Sequence, residues 1–334
     1  MVGEGHAQIK IKIIILKFKT MKVIRYQFIL LFLMSILVSK AQQLPQFSQY
    51  MLNELAINPA VAGKYEYVDM MGIYRYQWIG ITDAPRTFNL NVHGPIAKEK
   101  MGLGVNIFTD IVGPTRREGA NLNYAYHLLL YREKEIKLSM GLYAGFLRWG
   151  IDGHKLKLHD GGDENLLIQY QTVFVPDFGT GFHLYNKKGY FGVAVPQLYQ
   201  SKLKLYPIST DKSKLVTHFY INGAYKFDIT EDFKVEPSFL IKYVKPVPVK
   251  VDVALRAIYK DMVWLGGSYR TNDAWSAMVG VLYKNYLMVG YAYDFTTTAL
   301  RKYNSGTHEI VIGMRLSRGQ SPRWEDTNNG VPSY

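Results

Sequence analysis

Residues 233–243 read FKVEPSFLIKY and residues 249–260 read VKVDVALRAIYK. In both stretches apolar residues largely alternate with polar, charged or small ones, and successive side chains of a β-strand point to opposite faces. Each stretch therefore predicts a strand with one apolar face and one more polar face. Strands of soluble proteins average about five or six residues, whereas a tilted strand needs about nine to eleven to cross a bilayer. The length of the two runs favours strands that span a membrane.

The same alternation recurs from about residue 65 onward. The predicted strands cover residues 65–76, 86–94, 100–109, 117–130, 136–149, 177–186, 189–197, 215–227, 232–244, 249–260, 262–271, 274–284, 286–296 and 306–317. Tight turns and longer loops connect them, and the longest loops are 150–176 and 198–214. Outer-membrane barrels have short periplasmic turns and long external loops. The predicted fold is all-β: a transmembrane antiparallel β-barrel of about 14 strands over residues 64–317, preceded by a non-strand segment, with both mature termini periplasmic.

Charged residues fall on the predicted inward face of this barrel. They are Lys234, Glu236, Lys242, Asp252 and Arg256. Two interpretations remain open. The charges form a network of ion pairs that fills the lumen, or they line a conductive pore.

The N-terminus has the layout of a secretory signal peptide at residues 21–41. Lys22 and Arg25 precede an apolar stretch at residues 28–38, and small residues at positions 39 and 41 predict cleavage before Gln42. An apolar stretch this short cannot cross the membrane as a helix, which takes about twenty residues. We therefore predict an exported protein in a bacterial outer membrane.

The two ends of the chain are expected to lie outside the barrel. Residues 1–20 either extend the basic region of the signal peptide, or they are an artefact of start-codon choice and translation begins at Met21. Residues 318–334 contain Pro322, Pro332 and an Asn-Asn-Gly sequence, which predicts a flexible C-terminal tail.

Composition excludes several classes of function. The 334 residues contain no cysteine, which excludes a disulfide framework, a Cys-ligated metal site and a lipid-bearing N-terminal cysteine. The net charge of +13 falls to +7 when residues 1–41 are removed. The remaining Lys and Arg are spread along the chain without a clustered stripe, so nucleic acid is not an expected partner.

Motifs of catalysis and of cofactor binding are missing. The sequence has no nucleophile elbow, Walker loop, HExxH helix or dinucleotide fingerprint, so we predict no enzyme and no cofactor. Asp160, Asp163 and Glu164 are weak candidates for a Ca²⁺ site, but they lack the EF-hand spacing and fit a solvated loop better. An outer-membrane hydrolase would depend on His154 or His159.

Four blocks of sequence resemble one family. The opening pair LPQFSQYMLN (44–53) and INPAVAG (57–63) is similar to the opening of the PorP/SprF family of Bacteroidetes type IX secretion proteins, although Val61 replaces the usual aromatic residue and Leu44 a common Asp. Three later blocks also resemble that family. They are QWIG (77–80) with APRT (84–87) and HGP (93–95), PDFGTG (176–181) with GVAVP (192–196), and YAYD (291–294) with SGTHEI (305–310).

The resemblance implies a non-catalytic accessory protein of type IX secretion in the outer membrane. Such a protein supports export or surface attachment of adhesin-type cargo, and in gliding relatives it serves motility. The implied partners are outer-membrane lipid, secreted adhesins and other secretion components, including a periplasmic OmpA-like peptidoglycan-binding protein. The alternative function is a passive porin or solute channel.

Two groups of site residues follow as hypotheses. Residues 42–63 form a plug or periplasmic segment that tucks under or into the barrel, because Asn-Pro favours a turn over a strand. Its candidate anchor or partner-binding residues are Phe47, Gln49, Tyr50, Met51, Asn58 and Pro59. Trp78, Pro85, Arg86 and His93 are candidates for organising the first external loop, with Trp78 and Arg86 either in a cation–π contact or as interface anchors.

Overall fold

The computed structural model describes residues 44–96, 100–155, 170–203 and 214–317. The predicted signal peptide and residues 1–20, the first two residues of the 42–63 segment, the candidate Ca²⁺ ligands Asp160, Asp163 and Glu164, and the tail 318–334 lie outside the described residues. Within the described ranges, no helix is long and apolar enough to span a membrane.

Fifteen strands make up most of the described chain. They are β1 Tyr67–Tyr76, β2 Arg86–Ile96, β3 Met101–Val112, β4 Thr115–Tyr131, β5 Ile136–Asp152, β6 Tyr170–Tyr185, β7 Gly189–Val195, β8 Phe219–Tyr225, β9 Phe227–Asp228, β10 Phe233–Val244, β11 Val247–Tyr259, β12 Val263–Arg270, β13 Ala274–Tyr283, β14 Leu287–Thr296 and β15 Thr307–Ser317.

These strands form one closed antiparallel sheet. Apart from the short β9, each strand pairs with the next in sequence, and β1 pairs with β15 from Tyr67 opposite Ser317 to Tyr76 opposite His308. The short β9 follows β8 directly and pairs with the same strand, β10. The barrel therefore has fourteen strands around its circumference and one short extra strand. The predicted fold class is confirmed.

The two faces of the barrel wall differ in polarity. Along β13, buried and exposed residues alternate without a break, with Met278 inside and Trp275, Val279 and Tyr283 outside. Buried polar residues concentrate inside the barrel, whereas most exposed large apolar side chains project outward. This arrangement suits lipid outside and a polar lumen inside.

The two ends of the barrel differ in their connections. At the turn end, every connection has three or four residues: 97–100, 132–135, 186–188, 229–232, 260–262 and 284–286. At the loop end, the connections are 77–85, 113–114, 153–169, 196–218, 245–246, 271–273 and 297–306. Three of the seven loop-end connections are thus as tight as those at the turn end. The barrel begins and finishes at the turn end, with Tyr67 and Ser317.

Two predicted boundaries were wrong. The strand predicted from residue 177 begins at Tyr170. Proline has no N–H to donate, but the N–H position of Pro176 points away from β5, so the pairing of β6 with β5 continues through it. The strand predicted at 215–227 begins at Phe219, because Leu215 is instead buried in the mouth of the barrel against Leu147 and Val175.

Candidate functional site

A segment without strands, residues 44–66, lies inside the barrel before β1; we call it the plug. It contains two single 3₁₀ turns, Glu54–Ala56 and Pro59–Val61. Asn58 caps the second turn, since its Oδ1 accepts the Ala60 N–H at 3.0 Å, and Pro59 occupies the first position, where no N–H is required. These local preferences give the plug its compact shape.

Buried charges hold residues 48 and 49 of the plug. Glu309 accepts the backbone N–H of Ser48 on Oε2 and that of Gln49 on Oε1, both at 2.8 Å. The Ser48 hydroxyl donates to Asp294 Oδ1 at 2.6 Å. Arg75 joins all of these groups, because its guanidinium donates to Asp294 at 2.7 Å, to Glu309 at 3.0 Å and to Ser48 Oγ at 2.7 Å. We call Arg75, Asp294 and Glu309 the clamp.

A second arginine extends the clamp to residue 47. Arg270 Nη2 donates to the carbonyl oxygen of Phe47 at 3.2 Å, and its Nε donates to Asp252 Oδ1 at 3.1 Å. Asp252 also accepts from Lys242 Nζ at 2.7 Å. Every charge in this chain of contacts has an opposite charge beside it, which offsets the cost of removing it from water.

Three apolar or aromatic side chains fix the same part of the plug to the wall. Tyr50 and Met51 pack with Ala194, Tyr220, Leu240 and other buried residues. Phe47 packs in a separate cluster that includes Ile73 and Trp264. Burial raises the pKa of the Tyr50 phenol, so it stays neutral in its hydrogen bond with Ser238 Oγ at 3.1 Å.

The second half of the plug is held through its backbone. Ser139 Oγ donates to the Ala60 carbonyl at 2.6 Å, and His127 Nε2 lies 2.9 Å from the Ala62 carbonyl oxygen. The Gly63 N–H donates to His93 Nδ1 at 3.2 Å. The strands thus bind the plug by its main chain as well as by its side chains.

Glycines in the wall allow this close approach. A Cβ atom on Gly141 would collide with the backbone of Pro59 and Ala60, and one on Gly102 would collide with the backbone of Ala62 and Gly63. Neither strand position could carry a side chain without displacing the plug.

Amide side chains form a further layer beside the plug. Asn53 Nδ2 donates to Asn89 Oδ1 at 2.9 Å, and Asn89 Nδ2 donates to Asn106 Oδ1 at 2.7 Å. A cavity of about 80 Å³ adjoins this layer, lined in part by Leu44 and Asn121. Its size suits a few water molecules.

The family model for the type IX secretion system membrane protein PorP/SprF matches residues 39–314. The chain belongs to the PorP/SprF family. As a member it is a type IX secretion system membrane protein with the fold of an outer-membrane β-barrel. The family predicted from the four sequence blocks is confirmed.

Comparison with curated proteins gives no match. Solved structures with similar barrels include "TodX deltaS2S3 mutant monoaromatic hydrocarbon channel" (9% identity, 79% of this chain and 94% of that chain covered, TM-score 0.48). They also include "CymD monoaromatic hydrocarbon channel" (11% identity, 80% and 92% covered, TM-score 0.45). A Pseudomonas aeruginosa FadL homologue has 10% identity, 75% and 89% coverage and a TM-score of 0.41.

The blocks that carried the PorP/SprF resemblance meet around the plug. Ser48 comes from the opening pair of blocks, and its partners Asp294 and Glu309 come from the last pair. The central block supplies Gly181, whose missing side chain leaves room for the Asn58 amide. Sequence reasoning did not identify Arg75, Asp294 and Glu309 as site residues. The signal that would have found them is a charged residue on the polar face of a predicted strand within or beside a block.

The candidate anchor residues all belong to the plug. Phe47, Gln49, Tyr50, Met51 and Asn58 are buried, as is Pro59 in the second 3₁₀ turn. The Gln49 side-chain amide is buried, and no described residue forms a hydrogen bond with it; the backbone N–H of Gln49 is the group that meets the clamp.

The candidate loop residues do not act as one group. Pro85 closes the first loop, since its carbonyl accepts the backbone N–H of Gln77 at 2.9 Å. The backbone N–H of Trp78 donates to Thr307 Oγ1 at 3.1 Å and so connects the loop to β15. The guanidinium carbon of Arg86 lies 5.1 Å from the ring centre of Tyr76. Arg86 therefore makes its cation–π contact with Tyr76 and not with Trp78. His93 was wrongly assigned to this loop, because β2 carries it toward the turn end, where it contacts the plug.

Charged residues on the inner wall form pairs. Arg256 donates to Glu236 at 2.5 Å, and Lys234 lies 2.5 Å from Asp261. In the described ranges, no cluster of three or more His, Asp or Glu has an arrangement that could hold a metal ion. His154 is exposed next to Asp152, and His159 lies outside the described residues.

Replacing Asn58 with alanine is expected to loosen the second half of the plug. The Asn58 Nδ2 group donates to the Phe182 carbonyl at 2.9 Å, and the substitution removes this bond together with the cap on Ala60. The expected loss in the free energy of unfolding is about 1–3 kcal/mol, measured by urea unfolding in lipid vesicles. Thr298→Ala is the control, since Thr298 precedes a loop-end 3₁₀ turn without a side-chain cap. Equal losses in both variants would contradict the role of Asn58.

Proposed function

We propose that this PorP/SprF protein is a non-catalytic accessory component of type IX secretion that works through its two ends rather than through its lumen. The observation that supports this proposal is the plug. Residues 47–63 lie inside the barrel and bond to the wall on β1, β4, β5, β6, β10, β12, β14 and β15. A barrel whose interior is bonded in this way is better suited to docking other proteins than to passing solutes.

In this proposal the turn end faces the periplasm and the loop end faces outward, following the general rule for outer-membrane barrels. The turn end meets a periplasmic partner, for which an OmpA-like peptidoglycan-binding protein is our candidate. The loop end supports export or surface attachment of adhesin-type cargo. Anchoring the barrel to the cell wall would keep it fixed while cargo passes or attaches.

Planar-bilayer conductance tests the closed lumen. The intact protein is expected to show no sizeable constitutive pore, whereas deletion of residues 44–63 opens the polar lumen and gives discrete conductance steps. A matched control is deletion of residues 299–302 at the loop end, which leaves the plug intact. Equal and large conductance from the intact protein and the deletion variant would support the alternative, a passive porin.

Co-purification from native membranes tests the docking role. We expect the intact protein to retain an OmpA-like periplasmic protein, identified by mass spectrometry, in amounts comparable to its own. Capture of unrelated porins in place of secretion components would contradict the proposal. If the 44–63 deletion variant inserts and retains the partner normally, the plug has no part in docking.

A further inference from the structure

The outer wall of the barrel has a groove near the turn end, across strands β6, β7, β8 and β10; we call it the side groove. The described part of the chain leaves about 520 Å³ of space in it, within the range of about 300–1,000 Å³ that is typical of ligand pockets. Its lining includes Leu184, Phe191, Tyr225, Phe227, Pro237 and Phe239. The side groove is thus large enough to hold part of a lipid-sized molecule.

Two glycines form the floor of the side groove. Gly223 lies opposite Phe191 of β7 on one side and opposite Phe239 of β10 on the other. Gly189 lies opposite Tyr225 of β8. Because glycine has no side chain, the outer surface is low at both positions, and the three neighbouring rings stand above it as the walls of the groove.

The side groove lies on the membrane face of the wall and is mainly apolar. Leu184 and Phe191 are exposed on the outward faces of β6 and β7. Tyr225 and Phe227, whose ring centres are 4.7 Å apart, form its turn-end side. The outward face of a membrane-spanning barrel contacts the hydrocarbon of the bilayer. An acyl chain therefore matches this part of the groove in both position and chemistry.

Charged residues of both signs stand at the turn-end rim of the side groove. Lys187 and Lys188 lie in the turn between β6 and β7, and the residues on either side of them line the groove. Lys187 Nζ is 3.0 Å from Glu135 Oε1, and Lys188 Nζ is 2.9 Å from Asp228 Oδ2. Glu135 and Asp228 are each next in sequence to a lining residue. Both lysines are more than half exposed, and exposed ion pairs contribute little to stability, so their members can turn to a charged ligand at small cost.

A phospholipid with a zwitterionic head matches both the apolar groove and its charged rim. Its acyl chain suits the lining, its phosphate suits the two lysines, and its ammonium group suits the two acids. Two cations beside two anions fit such a head better than a purely anionic one, whose phosphate would meet the carboxylates without a cation of its own. Charge complementarity therefore favours an ethanolamine-type phospholipid.

We propose that the side groove is a specific binding site for one phospholipid of the ethanolamine type. One acyl chain lies on Gly189 and Gly223 between the aromatic walls. The phosphate contacts Lys187 and Lys188, and the ammonium group contacts the acids beside them. The bound chain fills the place where the glycines leave the outer surface low. This site does not depend on the secretion role proposed above.

Native mass spectrometry of the delipidated full chain, titrated with phosphatidylethanolamine in detergent micelles, tests the apolar part of the site. The intact protein is expected to bind one lipid more tightly than any further one. Phe191→Ala combined with Phe239→Ala removes two walls and is expected to weaken this binding about tenfold or more. Trp275→Ala with Phe295→Ala is the matched control, since these exposed aromatic residues lie opposite each other on the outer face of β13 and β14. Equal effects of the two double variants, or no preferred first lipid, would overturn the proposal.

The same titration with diacylglycerol, which has the acyl chains without the head, tests the charged rim. Lys187→Ala combined with Lys188→Ala is expected to weaken the binding of phosphatidylethanolamine about three- to tenfold and to leave that of diacylglycerol unchanged. Lys284→Ala, in the turn between β13 and β14, is expected to change neither. Equal losses for both lipids in the double variant would contradict the contact between phosphate and lysines. The gel shift between unheated and heated samples verifies that each barrel is folded.

Cross-linking on the unmodified protein locates the lipid without any variant. Phosphatidylethanolamine with a photoactivatable acyl chain is incorporated into vesicles that contain the full chain, and the labelled peptides are identified by mass spectrometry. Labelling is expected to be several-fold higher in residues 184–191 and 223–239 than in residues 275–283. Even labelling around the barrel would show ordinary bilayer lipid only and would overturn the proposal. If a chain that ends at Ser317 is labelled in the groove and the full chain is not, the groove belongs to the C-terminal tail instead.

Discussion

Replacing Arg75 with alanine is expected to release residues 47–49 of the plug and to lower the free energy of unfolding by about 3–5 kcal/mol. Arg75 is 1% exposed and donates to both Asp294 and Glu309. Its removal leaves two carboxylates facing each other without their shared cation in a water-poor interior. The two carboxylates then repel each other, and the hydrogen bonds to Ser48 and Gln49 weaken.

Two measurements test this expectation. Urea unfolding in lipid vesicles gives the loss of stability. Because the chain contains no cysteine, a single Met51→Cys substitution gives a thiol whose rate of maleimide labelling reports exposure of the plug. Labelling is expected to be slow when Arg75 is present and fast in the Arg75→Ala background.

Two comparisons make the Arg75 result specific. Arg75→Lys keeps the charge but loses the two-armed geometry, so an intermediate effect is expected. Arg301→Ala removes an arginine from the exposed loop-end turn Ala299–Lys302 and is expected to change neither stability nor labelling. If Arg75→Ala behaves like Arg301→Ala, the clamp does not hold the plug.

Replacing Gly141 with valine is expected to displace the second half of the plug while the barrel still forms. The new side chain occupies the space of Pro59 and Ala60, and overpacking of this kind costs about 1–3 kcal/mol or more. Leaving the wall intact and moving the plug is the cheaper response, because the plug is covalently attached to the wall at one end only. Single-channel conductance and thiol labelling at Val61→Cys are both expected to rise.

Gly72→Val is the matched control for Gly141→Val. Gly72 lies on β1 with its missing side chain on the outer face, and the nearest atom to a Cβ there is 3.9 Å away. Valine is favoured in strands, so this variant should keep a closed lumen and a protected plug. If Gly72→Val has an effect as large as that of Gly141→Val, strand glycines are required in general. The prediction that Gly141 matters because of its contact with the plug would then be wrong.

The plug connects the PorP/SprF sequence blocks to one physical role. Ser48 bonds to Asp294 and Glu309, and Asn58 packs against Gly181, although the members of each set lie far apart in the chain. Their residue types suit a segment that must be held inside a barrel: small residues where backbones meet, and acids where backbone N–H groups need an acceptor. The blocks therefore have a structural explanation in addition to any contact with a partner.

The sequence by itself determined the barrel. Alternation with a period of two over more residues than a soluble strand needs is a local property, so it can be read without any knowledge of partners. The strand count and most of the boundaries follow from it. The exceptions are informative: β6 continues through Pro176 because one edge of a strand tolerates proline, and β8 starts late because Leu215 is buried in the mouth of the barrel.

Only the tertiary structure decided what fills the barrel. Alternation shows that Arg75, Asp294 and Glu309 face inward, but it carries no information on which of them meet. A closed sheet brings together residues far apart in sequence, such as Arg75 and Glu309, which are 234 positions apart. The same holds for the contact between Gly141 and Ala60. These contacts are set by closure and register, which are properties of the whole sheet.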